Sequence, residues 1–428
     1  MNAQKPREIA VNLLAQHAEG RQYLEDLFEQ NEAKNSLSSS DRGLLQEITF
    51  GAVRWQATLD WLISRRTDGR EQATLPAILL RLGLYQLLWL DRVPAHAAVH
   101  EMVEIAKSHG FGPQTGFINA ILRSYSREIS ATKRLLKDLK ASNPALGYSH
   151  PKWLAQQWKN NLGTKEATAL MEWNNQPPPT YARLNRLCAN AESLRMLWEN
   201  EQVEAKREIF PWSPATEVYR LLQHPPIGSL ESFRSGFFYI QDPSTLLAVE
   251  QLDPKPGDAI LDLCSAPGGK TLFIAQKMSD TGRIVANDTS VDRLKMVEEN
   301  CLRLGVKKVE TALNAMNLPG QFDGVLIDAP CSNTGVMRRR VDLRWRIKSE
   351  EIKRLASVQL GLLTRGAERL KPDGSLVYST CSLEREENEE VVQKFLEARP
   401  DFRLETQHRL SPFTEGVDGA YAAKLIRT

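Results

Sequence analysis

Leu261-Asp262-Leu263-Cys264-Ser265-Ala266-Pro267-Gly268-Gly269-Lys270-Thr271 is the stretch on which the fold turns. Its first residues read as the end of a buried strand. Gly268-Gly269 then lets the backbone approach a ligand closely just before a helix begins. Around it, strands are expected at Ala259–Cys264, Arg283–Asn287, Lys308–Ala312, Asp323–Asp328 and Ser375–Thr380. Helices are expected between and after them, at Lys270–Met278, Val291–Leu304, Glu350–Leu370 and Glu384–Ala398. This alternation predicts a doubly wound, mainly parallel sheet. Ligands of such sheets bind outside the carboxyl ends of the strands, so the turns at that edge are the candidate site.

Twenty-six residues after Asp262 the next strand ends in Ala286-Asn287-Asp288. An acidic residue at that point is placed to hold a ribose diol, and the pair fits a nucleoside cofactor without a pyrophosphate. Gly269-Lys270-Thr271 has the ending of a phosphate loop, with Val325-Leu326-Ile327-Asp328 as an accompanying acidic strand. The first glycine of that motif would fall at 264, which is cysteine, so the nucleotide-hydrolase reading is disfavoured.

Two further turns carry thiols: Cys331 in Asp328-Ala329-Pro330-Cys331-Ser332 and Cys381 in Ser379-Thr380-Cys381-Ser382. Ser382 reads as an N-cap for the helix expected from Glu384, and Cys331 precedes the basic run Arg338-Arg339-Arg340. Both surroundings favour the thiolate, which is the reactive form. The bland alternative is cysteine as a small buried hydrophobe, accepted here for Cys188 and Cys301 and preferred for Cys264.

The chain has 428 residues, 25% charged and 42% hydrophobic, with a formal net charge of +2. Two or three domains and no global attraction to a polyanion follow. Five cysteines without a Cys-x-x-Cys pair argue against a disulfide framework or a zinc ribbon. With no signal-like N-terminus and no apolar stretch of spanning length, a cytoplasmic protein is expected. Residues 1–140 read as helix throughout, with apolar residues at helical spacing, a break near Gly51 and a stop at Pro94. Residues 141–240 read as a small α+β region beginning before Pro177-Pro178-Pro179, and 241–428 as the α/β domain. Residues 331–371 hold eleven Lys or Arg against four Asp or Glu, which reads as a rim for a nucleic-acid backbone beside the pocket. His96 and His100, one helical turn apart, lack a third ligand, and helix packing is the preferred reading over a metal site.

Several motifs together resemble the Nop/Sun family of RNA 5-methylcytosine methyltransferases. They are Gln241-Asp242-Pro243-Ser244, Asp262 to Thr271, Asp328 to Gly335, Tyr378 to Ser382 with Glu387-Asn388-Glu389, and Asp418-Gly419-Ala420-Tyr421 with Ala423-Lys424-Leu425. The N-terminal part is similar to the NusB fold in Phe50 to Arg54, Leu82 to Leu88 and Gly116 to Arg123. The resemblance implies a multidomain protein: an all-α NusB-like RNA-binding domain, a small α+β connecting domain and an α/β Rossmann-like class I methyltransferase domain. It implies S-adenosyl-L-methionine as cofactor, 16S ribosomal RNA as partner, no metal, no membrane and a monomer.

By the same resemblance Cys381 is the nucleophile that adds to cytosine C6, and Cys331 assists release of the methylated product. Asp328 would hydrogen-bond the ring near N3, or else only cap its turn. Lys270 would lie near cofactor and substrate, or else be a solvated lysine at a helix start. Cofactor contacts fall on Cys264, Ser265, Ala266, Pro267, Gly268, Gly269, Lys270, Asp288, Arg293, Asn314 and Asp328. RNA contacts fall on Lys270, Arg338, Arg339, Arg340 and Arg344. Two alternatives stay open: an RNA-binding assembly or antitermination factor with a vestigial catalytic half, and a transfer RNA methyltransferase.

Overall fold

The computed structural model describes residues 5–20, 22–313 and 320–428. Two compact units divide the chain at 177/178. The first comprises 1–177 together with 337–347, and the second 178–336 together with 348–428.

The first unit is helical, with long helices at Pro6–Ala18, Ser39–Arg54, Thr74–Trp89, Ala95–Ser108, Gly112–Arg127 and Ile129–Ser142. Their apolar stripes meet in one core that includes Leu13, Ile48, Leu59, Leu79, Leu82, Met102, Ile118 and Leu122. Pro94 starts the helix Ala95–Ser108, as the N-cap, after the preceding helix has ended at Trp89. The expected break at Gly51 lies instead at Trp55. Gly51 is mid-helix, and a Cβ there would fall 2.1 Å from the Tyr85 ring, so the position is set by packing rather than by a turn.

A segment from far along the chain, residues 337–347, completes this unit. Val341 lies in the helical core with Trp345 packed against it, and the Trp345 indole N–H donates to the Val53 carbonyl at 2.8 Å. Arg344 is fully buried. Its guanidinium donates to the carbonyls of Arg54, Ser149 and Asn174 and to Asn175 Oδ1. Burial, and the nearby charge of Arg54, push its pKa down to about 9. Asp342 accepts from the Leu24 backbone N–H at 3.0 Å and lies 3.1 Å from both His17 Nε2 and the Arg346 guanidinium. Arg344→Ala leaves those acceptors unpaired in the interior, an expected loss of about 3 kcal/mol. Calorimetry of the full chain should show the helical unit melting roughly 6–12 °C lower.

In the second unit, β1 (Thr180–Leu184), β2 (Glu204–Phe210), β3 (Ser213–Gln223) and β4 (Phe238–Ile240) form an antiparallel sheet in the order β2-β3-β1-β4. Helix Ala191–Asn200 packs on it through Leu194 and Trp198. This sheet lies in the stretch read from the sequence as a small α+β region.

A seven-stranded sheet follows. It contains β5 (Ala259–Asp262), β6 (Arg283–Asn287), β7 (Val309–Ala312), β8 (Phe322–Asp328), β9 (Leu370–Thr380), β10 (Phe402–Leu410) and β11 (Ala420–Arg427), in the order β10-β11-β9-β8-β5-β6-β7. β5 to β9 are mutually parallel, as expected. β10 and β11, which the sequence reading did not identify, close the edge antiparallel. Side chains alternate between two buried faces: Ile260, Ile284, Leu326 and Val377 point to one core, and Leu261, Val285, Val325, Ile327 and Leu376 to the other. Both faces being buried explains the near-continuous apolar runs that made these strands legible.

Candidate active site

Strand register brings the candidate residues together. Asp262 aligns with Ala286 and Leu326, and Asp328 aligns with Ser379, so the parallel strands β5, β6, β8 and β9 end at one edge. The chain leaves that edge as the glycine turn, Asp288, the Cys331 loop and the Cys381 loop.

The glycine turn runs into helix Gly269–Lys277, with Gly268 as its N-cap at φ +106°, a region open to glycine. Asp262 is fully buried and accepts from Thr271 Oγ1 at 2.6 Å; burial pushes its carboxyl up to about 7. Burial and the nearby Asp262 carboxyl push Cys264 up to about 12, which suits packing and not attack. Asp288 is buried. It accepts from the backbone N–H groups of Ala266, Thr289 and Ser290, and lies 3.2 Å from the Arg293 guanidinium. Arg293 also donates to the Ala266 carbonyl at 2.8 Å, while its side chain remains 54% exposed and free to swing away. Ser265 Oγ is buried in the turn without a partner. The orphaned Ser265 hydroxyl within this turn, and the Asp288 carboxylate that holds the Ala266 N–H of the same turn, fit a nucleoside with a polar tail. Asn314 lies outside the described residues.

Lys270, on the first turn of the helix after the glycines, meets Asp328 at the end of β8, Nζ to Oδ2, at 2.6 Å. Burial alone would lower the Lys270 ammonium, but the Asp328 carboxylate outweighs it and the group is raised above its ordinary value. Asp328 Oδ1 accepts from Ser379 Oγ at 2.9 Å, and the side chain keeps 35% exposure.

Beside this pair the two sulfurs of Cys331 and Cys381 stand 3.3 Å apart. Hydrogen bonds and one close glycine contact hold their loops in register. The Gly335 N–H donates to the Cys381 carbonyl, and the Ala329 N–H to the Ser379 carbonyl, both at 2.9 Å. A Cβ on Gly335 would fall 2.6 Å from the Cys381 carbonyl oxygen and 2.8 Å from Gly419, so only glycine permits that approach. Buried Glu387 accepts from the Ser332 N–H and hydroxyl and from the Ser382 hydroxyl, the residues that follow each cysteine. Gln359 completes its shell at 2.9 Å. The motif containing Glu387 had been noticed, but its part in joining the loops had not.

Three expectations change. Ser382 does not cap a helix: the helix begins at Glu389, so no helix dipole acts directly on Cys381. Cys331 does not favour its ionised form. The hydrogen bond with Cys381 and burial raise its pKa, and the Glu387 carboxylate adds to this. Two of the basic residues expected at the rim do not reach it: Arg338 and Arg344 are buried, with Arg338 packed over the Trp173 ring, while Arg339 is half-buried and Arg340 is exposed and faces Glu25 at 3.8 Å. All four fold with the helical unit. Of the remaining cysteines, Cys301 is buried as expected, whereas Cys188 is exposed with its thiol donating to the Leu304 carbonyl. His96 and His100 are exposed. Among the described residues no group of three His, Cys, Asp or Glu side chains is placed to hold a metal, and no helix is long and apolar enough to cross a membrane.

Residues 249–426 match the family model described as 16S rRNA methyltransferase RsmB/F, residues 4–127 the NusB family, and residues 150–214 the ferredoxin-like domain of RsmF/B-like methyltransferases. The chain is 36% identical to the ribosomal RNA small subunit methyltransferase B of Klebsiella pneumoniae (strain ATCC 700721 / MGH 78578), covering 98% of each. The crystal structure of PH0851 superposes with a TM-score of 0.79 at 25% identity, covering 99% of this chain and 100% of that one. That of NSun6 from Pyrococcus horikoshii with SFG superposes with a TM-score of 0.58 at 25% identity, covering 65% and 98%.

Proposed function

Because the chain belongs to the RsmB/F family of 16S rRNA methyltransferases, we propose that it forms 5-methylcytosine in 16S ribosomal RNA through a covalent bond from Cys381 to the base. The observation that carries this is the pair of sulfurs 3.3 Å apart beside the Lys270–Asp328 ion pair at one sheet edge. Methyl transfer to an amine or hydroxyl needs no thiol, whereas C5 of cytosine is a poor nucleophile until a sulfur anion adds to C6.

S-adenosyl-L-methionine, held by Ser265 to Lys270 and Asp288, would supply the electrophilic methyl group. Cys381 gives up its proton to solvent and its sulfur bonds to C6 as the C5–C6 double bond opens, which places electron density on C5. Asp328, steadied by Ser379 and Lys270, keeps an accessible carboxylate edge that would accept a hydrogen bond from the exocyclic amino group next to N3. Once C5 carries the methyl group its proton passes to solvent, the C5–H electron pair re-forms the C5–C6 double bond, and the C6–S pair returns to the Cys381 sulfur. Cys331, kept protonated by its surroundings, donates its S–H to the departing sulfur and regains a proton from solvent once the product has left. The target base must be unpaired or extruded, since C6 is unreachable inside a stacked helix.

RNA carrying 5-fluorocytosine at the target cannot lose a proton from C5. It should therefore trap the protein in a complex that survives denaturation, in the presence of S-adenosylmethionine only. Mass spectrometry should place the bond on Cys381. Ordinary turnover on the fluorinated RNA, or a different modified nucleoside in native RNA, would refute the reading.

A further inference from the structure

Asn333 ties the backbone of Cys331 to the sulfur of Cys381. It follows Cys331 by two residues and adopts φ +57°, the left-handed region that asparagine tolerates better than most side chains. Its Nδ2 donates to the Cys331 carbonyl at 2.8 Å. That bond fixes the amide orientation, because the flipped form would set two oxygens against each other. Oδ1 is therefore the atom facing Cys381, and the Cys381 sulfur donates to it at 3.0 Å. The other groups around that sulfur are Cys331 from the facing loop and Lys270 from the helix after the glycine turn, which itself pairs with Asp328 at the end of β8. Glu387 acts behind them on Cys331.

An amide oxygen aimed at a thiol stabilises the S–H form and repels the anion. We propose that Asn333 is a positioning residue for the nucleophile: its oxygen fixes the side-chain rotamer of Cys381 and retains the thiol proton until a substrate base arrives. The proposal rests on Cys381 being the attacking group, but its test uses neither RNA nor cofactor. Its failure would leave the proposed reaction standing.

The test is the pH dependence of iodoacetamide alkylation of the full chain, with peptide mass spectrometry reporting Cys381 alone. Asn333→Gly suits the backbone and deletes the acceptor, so the midpoint should fall by roughly 0.5–1 pH unit. Asn333→Asp sets a carboxylate against the sulfur, so the midpoint should rise by about 1 unit. A purely structural role would not move the two variants in opposite directions. Equal midpoints, or shifts of the same sign, would overturn the assignment. Circular dichroism confirms that each variant is folded before its midpoint is compared.

Discussion

Cys381→Ala is expected to lower methyl transfer by at least about 10³-fold, because nothing else at that sheet edge can take over the bond to C6. The neighbouring candidate, Cys331, holds its proton more firmly than a free thiol does, so it is a poor substitute nucleophile. The glycine turn, Asp288 and the Lys270–Asp328 pair do not depend on the Cys381 sulfur. Affinity for S-adenosylmethionine, read by calorimetry, should therefore stay within about twofold of wild type while turnover vanishes. That split separates loss of a reacting atom from loss of a binding site. Turnover above about one-tenth of wild type would require a reaction without a cysteine adduct.

Cys331→Ala is expected to do the opposite to the intermediate. The first bond still forms, since Cys381 keeps Asn333 and Lys270 as neighbours, but the departing sulfur loses its donor at 3.3 Å. Release should slow by about 10²–10⁴-fold, the usual weight of a positioned acid. The protein should then accumulate as an RNA-linked band on denaturing gels after incubation with substrate and cofactor. The double variant Cys331→Ala/Cys381→Ala should show no such band. A single variant that turns over normally, or that forms no adduct, would remove Cys331 from the release step.

The parts of this molecule that were legible share a physical reason. β5, β6, β8 and the core of β9 are buried on both faces, so their apolar runs are continuous and the turns between them stand out. β2 was missed because Glu204, Ala205, Lys206 and Arg207 are exposed, which leaves no alternation to read. β10 is an edge strand with exposed Arg403, Glu405, Thr406, Gln407 and His408. β11 is rich in alanine, a weak strand former, and owes its place to β9 and β10 on either side. Both thiols were visible because each follows a strand end.

The cause of their environment was not visible. Ser382 looks like a helix cap in one dimension, yet its hydroxyl is used by Glu387. Asn333 carried one signal, an asparagine two residues before a glycine in a turn, which marks a left-handed position without saying what its amide will touch. The basic run misled because its counter-groups are remote. The carbonyls that hold Arg344 lie 290, 195 and 170 residues away along the chain, and carbonyls do not register in a count of charges.

That remote anchoring has a consequence for biosynthesis. When the nascent chain has emerged as far as residue 177, the helical portion still has an unfilled slot where Val341, Arg344 and Trp345 belong. Its Arg54, Ser149 and Asn174 carbonyls wait for a guanidinium not yet translated. At about 5–20 residues per second the delay is on the order of ten seconds or more. The N-terminal half is thus completed from behind, and truncating the gene at the apparent boundary yields a protein with a hole in it.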